Sequence, residues 1–337
     1  MLPIIKPIRT LTGLDSQALP DDVLRSTQPL VLKGLVSHWP MVQAAQQSAS
    51  AAAQYLRSFY RGAIVEAFFG APQFGGRFFY NDDLTGFNFH PERLKLDAVL
   101  DEIDRYARHA QPPGIYVGST TVETCLPGFR DHNDVDLGDR DALASVWIGN
   151  RTRIAAHYDA PDNIACVAAG HRRFTLFPPE ALENLYVGPL DLTPAGQPIS
   201  LVDFANPDLK KFPKFEQALE SAQVAEMEPG DAIFIPSMWW HHVEALDDFN
   251  VLVNYWWRQS ADYVDPAMNA LMLAIMSVRD LPPEQRKAWA NLFDHYVFKA
   301  DGETAAHIPE HARRVLAPMD ANKTRMLRAQ LLKKLNR

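Results

Sequence analysis

Between residues 29 and 257 the chain repeatedly enters short apolar, β-branched or aromatic runs that end in turn residues before reaching helical length. The clearest are PLVLKGL (29–35), AIVEAFF (63–69), RFFYN (77–81), GIYVGST (114–120), ASVWIGN (144–150), RRFTLFPP (172–179), GDAIFIP (230–236) and NVLVNYWW (250–257). Pro72, Gly75, Gly76, Pro112, Pro113, Gly149, Asn150, Pro229 and Gly230 punctuate them, as turn residues punctuate strands. Few helices intervene. The Ala/Gln-rich stretch 44–53, continuing through Tyr55 and Leu56, favours helix. So does PERLKLDAVLDEIDRYARHA (91–110), whose apolar positions fall near helical spacing. Strands following one another in this way predict antiparallel β structure closed on itself, a mainly β jelly roll with flanking helices, rather than alternating βαβ units.

After Arg258 the character changes. Asp265-Pro266 reads as a cap followed by proline at the first helical position. Met268, Leu271, Met272 and Ile275 follow at i, i+3, i+4 and i+7, while Leu273, Met276 and Val278 make other faces apolar too. A helix apolar nearly all round needs cover on several sides. That predicts a homodimer formed through this region, with an intrachain helical subdomain as the alternative. A second helix starts at Leu281-Pro282-Pro283, and a basic one (KTRMLRAQLLKKLNR) closes the chain. The expected division is an N-terminal α/β decoration over 1–110, a β core over 111–258 and a helical dimerisation region over 259–337.

Bulk composition excludes several classes. Hydrophobic residues make up 47% and charged residues 22% of 337, an ordinary globular balance. With 33 Lys plus Arg against 41 Asp plus Glu, the net charge of -8 offers phosphate backbones no general attraction, so no nucleic-acid partner is expected. No apolar run approaches the ~20 residues of a membrane helix. The start (MLPIIKPIRTLTGLD) lacks the pattern of a signal peptide. Cys125 and Cys166 form no CxxC pair and no disulfide framework, which fits a reducing compartment. A cytoplasmic protein is expected.

His157-Tyr158-Asp159 carries the first chemistry. On a strand, residues i and i+2 share a face, so both side chains can approach one ion. An HxD alone recurs by chance. Far downstream, a Pro-Gly-Asp turn enters an apolar strand read as passing through Pro236 and ending in Trp239-Trp240-His241-His242. Two imidazoles and a carboxylate on one face of an octahedral ion leave positions for a keto acid and oxygen, the donor set of non-haem Fe(II) oxygenases. His241 and His242 point opposite ways on a strand, and alternation alone does not choose between them.

The stretches RIAAHYDAPDNIACVAAGHRRFTLFPPEALENLY and PGDAIFIPSMWWHHVEALDDFNVLVNYWW resemble the cupin-like JmjC oxygenases. Within these they are most similar to the group containing the asparaginyl hydroxylase of hypoxia-inducible factor. PLVLKGLVSHWP (29–40), FFYNDDLTGFNF (78–89) and the helical tail extend the resemblance over most of the chain. It implies a double-stranded β-helix and an Fe(II)- and 2-oxoglutarate-dependent dioxygenase using O2, most simply a hydroxylase of a protein side chain or a small molecule. It also selects His241 as the ligand beside His157 and Asp159, because the family's ligand directly follows the Trp pair. Arg172 takes the place of a family lysine that holds the keto acid's far carboxylate, although Arg173 beside it can serve instead. Tyr116, Asn163, Asn254 and Trp256 match positions lining the co-substrate pocket. One residue departs from the pattern: Ile154 stands where the hydroxylase has a threonine contacting 2-oxoglutarate. Rival readings are an N-methyl-lysine demethylase on the same metal centre and a non-catalytic metal-binding dimeric cupin. The polar segment 123–141, with Asp131, His132, Asp134 and Asp136, is read as a loop over the pocket mouth.

Overall fold

The computed structural model describes residues 6–194 and 196–336. The first five residues of the stretch read as leaderless, and Arg337 of the closing basic segment, lie outside the described residues. Residues up to Gln259 form one compact unit and those from Ser260 a second.

Among the described residues the first unit is built on two sheets, as a jelly-roll reading requires. One has six strands in the order Lys6–Pro7, Gln223–Met227, Arg172–Phe177, Trp240–Ala245, Arg153–His157, Arg77–Phe78. The other has nine, in the order Arg9–Thr12, Leu30–Lys33, Ala232–Ile235, Asp162–Ala169, Asn250–Trp257, Leu143–Gly149, Gly114–Thr121, Ile64–Gly70, Phe89–Lys95. Pairing is antiparallel through the middle of both sheets.

Strand alternation sorts the side chains into two cores. Ala165, Val167, Phe174, Leu176, Ile233, Ile235, Val243 and Leu252 meet between the sheets. Their alternates, Ile164, Cys166, Phe234, Val251, Val253 and Tyr255, face outward from the large sheet into a second cluster. Helices Pro40–Gln47, Ala49–Phe59 and Leu96–Tyr106 supply Met41, Val42, Leu56, Val99, Leu100 and Ile103 to that cluster. The strand Asp162–Ala169 is therefore buried on both faces along its whole length. Each large apolar side chain so covered contributes about 1.5–3 kcal/mol.

Local chemistry moved several boundaries. The Ala/Gln helix breaks at Ser48, which turns extended and caps the next helix by accepting a hydrogen bond from the Ala51 N–H; serine is a preferred cap for that reason. The 91–110 helix begins only at Leu96, because Phe89–Lys95 pairs with Ile64–Gly70 as a strand. The strand expected to run through Pro236 is two strands, Ala232–Ile235 and Trp240–Ala245. Proline has no N–H for a ladder, and Met238 adopts φ 67° in the intervening turn. Of segment 123–141 only Thr124 reaches the pocket lining, so most of it is not a cover for the pocket. Cys125, Leu126, Phe129, Val135 and Leu137 sink into the helix-covered core instead, and its apolar positions rather than its acids decide its place.

In the second unit, helices Ala267–Ser277, Pro283–Phe293 and Ala321–Leu335 contain no buried residue. The first begins one residue later than expected, with Pro266 at the cap. Leu271 is 45% and Met276 67% exposed. Among the described residues no helix is long and apolar enough to cross a membrane.

Candidate metal centre

His157 ends the strand Arg153–His157, and His241 is its direct cross-strand partner on Trp240–Ala245. Their rings lie 4.3 Å apart between centroids. Asp159 lies just past the strand end rather than on the strand, so i, i+2 alternation is not what aims it. A clamp between two loops holds its backbone: the Met238 N–H donates to the Asp159 carbonyl at 2.8 Å. Ser237 donates through its hydroxyl to the Ala160 carbonyl at 2.6 Å and through its N–H to Asp162 Oδ1 at 2.8 Å. Met238 in the left-handed region is strain that these contacts stabilise.

The ligand atoms of His157, Asp159 and His241 all lie within 4.8 Å of one another, close enough to share one ion. The tautomers fit. In both histidines Nδ1 donates to the carbonyl two residues back, His157 to Ala155 at 2.9 Å and His241 to Trp239 at 3.0 Å. That leaves Nε2 with its lone pair, as a metal ligand requires. Burial foremost, then the neighbouring His157, pulls the His241 pKa down to about 4, so the ring is neutral at neutral pH. Two imidazoles and a carboxylate suit Fe(II).

The choice between His241 and His242 follows from register. His241 faces the cavity between the sheets, whereas His242 faces outward and stacks on Phe204 at 4.6 Å. Burial, followed by the charges of Arg153 and Arg77, pulls its pKa down to about 3.

The same alternation separates the two arginines. Arg173 faces outward and is held by Glu226 at 2.6 Å and Glu244 at 3.4 Å. Arg172 faces the cavity, is 3% exposed, and has no hydrogen-bond acceptor for its Nε among the described residues. Burial drives its pKa down, opposed only by Tyr116. A buried cation without a carboxylate partner is costly, and an anion entering the cavity relieves that cost.

His157, Asp159, His241, Tyr116, Asn163, Arg172, Asn254 and Trp256 all line one cavity of about 720 Å³, a volume typical of small-molecule sites. Ile154 lines it too. Tyr116 stacks on Trp147 at 5.8 Å, and burial raises its phenol pKa. Asn163, Asn254 and Trp256 lie at the metal end. Trp256 Nε1 donates to Asp159 Oδ2 at 2.9 Å, Asn163 Nδ2 to the same oxygen at 3.3 Å, and Asn254 Nδ2 to Asn163 Oδ1 at 3.2 Å. Sequence reasoning missed Trp147 and the mouth residues Glu66, Phe68, Phe89 and Gln197. For Trp147 a signal existed: in ASVWIGN it alternates with Val146 and Ile148 and so takes the opposite face.

Known proteins agree with this architecture. The model of the cupin-like domain matches residues 16–263. Lysine-specific demethylase JMJ31 of Arabidopsis thaliana is 34% identical over 125 residues, 36% of this chain and 22% of that protein. The tRNA wybutosine-synthesizing protein 5 of Danio rerio is 32% identical over 149 residues, covering 40% and 43% of the two chains. Lysine-specific demethylase 8 of Danio rerio is 26% identical over 267 residues, covering 76% and 60%. The chain thus spans less than two thirds of the length of each of these relatives. With the domain model covering most of its length and a JmjC-type triad at its centre, the chain belongs to the cupin-like domain family.

Proposed function

We propose that the protein is an Fe(II)- and 2-oxoglutarate-dependent oxygenase that hydroxylates a C–H bond of a protein side chain or small molecule. One observation carries this reading: a His-Asp-His donor set and a buried arginine whose Nε finds no acceptor among the described residues line the same cavity. A dicarboxylic keto acid has a chelating end for the first and a carboxylate for the second. His157, Asp159 and His241 would hold Fe(II), which with 2-oxoglutarate and O2 would supply the oxidising chemistry, the keto acid leaving as succinate and CO2. The chain's own residues do the rest. Arg172 offers a planar fork that matches a carboxylate with two parallel hydrogen bonds, and Tyr116 adds a hydroxyl. Ile154, Ala165, Phe174, Ile235, Val243 and Leu252 wall the cavity and limit water around the reacting atoms.

The test is anaerobic reconstitution with Fe(II) followed by 2-oxoglutarate, watching for the metal-to-ligand charge-transfer band. Its absence in wild type, or its persistence in His157→Ala, defeats the assignment. N-methyl demethylation is the second reading, favoured by two relatives whose names say lysine-specific demethylase. Formaldehyde release coupled to succinate would select it.

The exposed apolar residues of the C-terminal helices support a homodimer formed through that unit. Leu271→Glu with Met276→Glu is expected to give a monomer by light scattering. A wild-type monomer would end the idea. Both cysteines are free and buried, which supports a reducing, cytoplasmic setting.

A further inference from the structure

Three adjacent strands of the large sheet, Asp162–Ala169, Asn250–Trp257 and Leu143–Gly149, carry a diagonal of polar side chains facing the cavity. Register places Leu252 opposite Trp147, Asn254 opposite both Ser145 and Ala165, and Trp256 opposite Asn163. Trp147, Asn254 and Asn163 are therefore diagonal neighbours on one face, the spacing at which long side chains still touch. Trp147 Nε1 donates to Asn254 Oδ1 at 2.7 Å. Asn254 Nδ2 donates to Asn163 Oδ1 at 3.2 Å, and Asn163 Nδ2 to Asp159 Oδ2 at 3.3 Å. Asn254 is 1% and Asn163 5% exposed, so water does not readily substitute for a lost partner.

An amide side chain can be turned end for end, and each carboxamide offers a donor on one side and an acceptor on the other. An indole N–H can only donate. Its presence at the head of the chain fixes the Asn254 oxygen toward Trp147, and that in turn fixes Asn163 with its nitrogen toward the carboxylate. Reversing either amide sets oxygen against oxygen. Trp147 also stacks on Tyr116 with an interplanar angle of 25°, so one ring touches both ends of the cavity.

We propose that Trp147 is a positioning residue for the metal-binding carboxylate, acting through Asn254 and Asn163 to hold Asp159 in one orientation. This rests on the triad being a metal site. Partners of metal ligands commonly change affinity by 10- to 100-fold when removed, and Trp147 stands two side chains away from Asp159, at the low end of that range.

The test is Mn(II) binding to the full-length protein without keto acid, followed by electron paramagnetic resonance, with thermal unfolding as the folding check. Trp147→Phe keeps the ring and its stack but removes the donor. It is expected to weaken Mn(II) about ten-fold with the unfolding temperature little changed. Asn163→Leu is expected to weaken binding at least as much, and the double variant no further than Asn163→Leu alone, because residues in one relay are not additive. Wild-type affinity in Trp147→Phe, or additive losses in the double variant, overturns the relay. If Trp147→Phe fails to fold, Asn254→Leu and its combination with Asn163→Leu give the same readout. Wild type that binds Mn(II) but shows no charge-transfer band with Fe(II) and 2-oxoglutarate overturns the oxygenase reading and leaves the relay standing. Wild type that binds no Mn(II) overturns both.

Discussion

The two ends of the cavity are built on opposite plans. At the metal end the polar atoms around Asp159 are tied into a network: both ligand histidines donate to main-chain carbonyls and the carboxylate accepts from Trp256 and Asn163. At the other end a buried guanidinium lacks an acceptor at Nε among the described residues. The first arrangement is preorganised and holds its shape before a ligand arrives. The second is destabilised until one does, so binding energy there is realised only with an anion present. A cavity with one rigid and one unsatisfied end selects a ligand that chelates at one end and carries negative charge at the other.

Breaking the metal end gives the largest effect. His241→Ala is expected to lower Mn(II) or Fe(II) affinity by about three orders of magnitude, since it removes a direct ligand rather than a support. His242→Ala, one residue along but on the other face, should retain affinity within a few-fold. Titration calorimetry on both proteins decides it. Equal losses would mean that the register separating the two rings is wrong.

The arginine end comes next. Arg172→Leu is expected to weaken 2-oxoglutarate binding about 100-fold, the loss of a charge-assisted bidentate contact in a buried site. The same change should raise the stability of the ligand-free protein by about 1–3 kcal/mol, because it removes a buried charge without its counter-ion. Chemical denaturation with and without keto acid separates the two effects. A variant that loses both affinity and stability would show the guanidinium to be structurally satisfied.

Much of this arrangement could be read from the sequence, for identifiable reasons. His157, Asp159 and His241 lie in short motifs, and the jelly roll follows from turn-bounded runs. Hidden from view was whatever depends on pairing between distant strands. The alternating letters of RRFTLF show that Arg172 and Arg173 diverge but not which one faces inward; that is set by Trp240–Ala245 lying opposite. The Trp147 relay likewise exists only once three strands, far apart in the chain, are in register. Asp159 does not follow the i, i+2 alternation that the HxD spacing suggests, since its strand stops at His157.

The outward-facing neighbours supply the smaller tests. His242 has its folded pKa pulled down to about 3 from an ordinary value of 6.5. The unfolded chain therefore takes up the proton first, and the stability this residue contributes is complete above pH 6.5 and lost as pH falls toward 3. At pH 5 the loss from this group alone is about 2 kcal/mol. His242→Phe, which keeps a ring against Phe204, should flatten that part of the acid limb in the metal-free protein. His241 continues to titrate in the upper part of the same window, so the limb does not vanish. An unchanged limb would remove His242 from the account.

The smallest effect is expected where the second arginine sits. Arg173 is paired with Glu226 and Glu244 at the outer face, and the Glu226 side chain is 60% exposed. Such pairs contribute about 0.2–1 kcal/mol, and less at high salt. Arg173→Leu should therefore shift stability only slightly and leave the 2-oxoglutarate dissociation constant where it was. Paired with Arg172→Leu in one titration series, it isolates the side of the sheet on which a cation acts: two identical residues, adjacent in the chain, with one bound to its own protein and the other reserved for a ligand. A loss of keto-acid affinity in Arg173→Leu equal to that in Arg172→Leu would assign the anchoring to the positive charge of the strand as a whole and not to the inward fork.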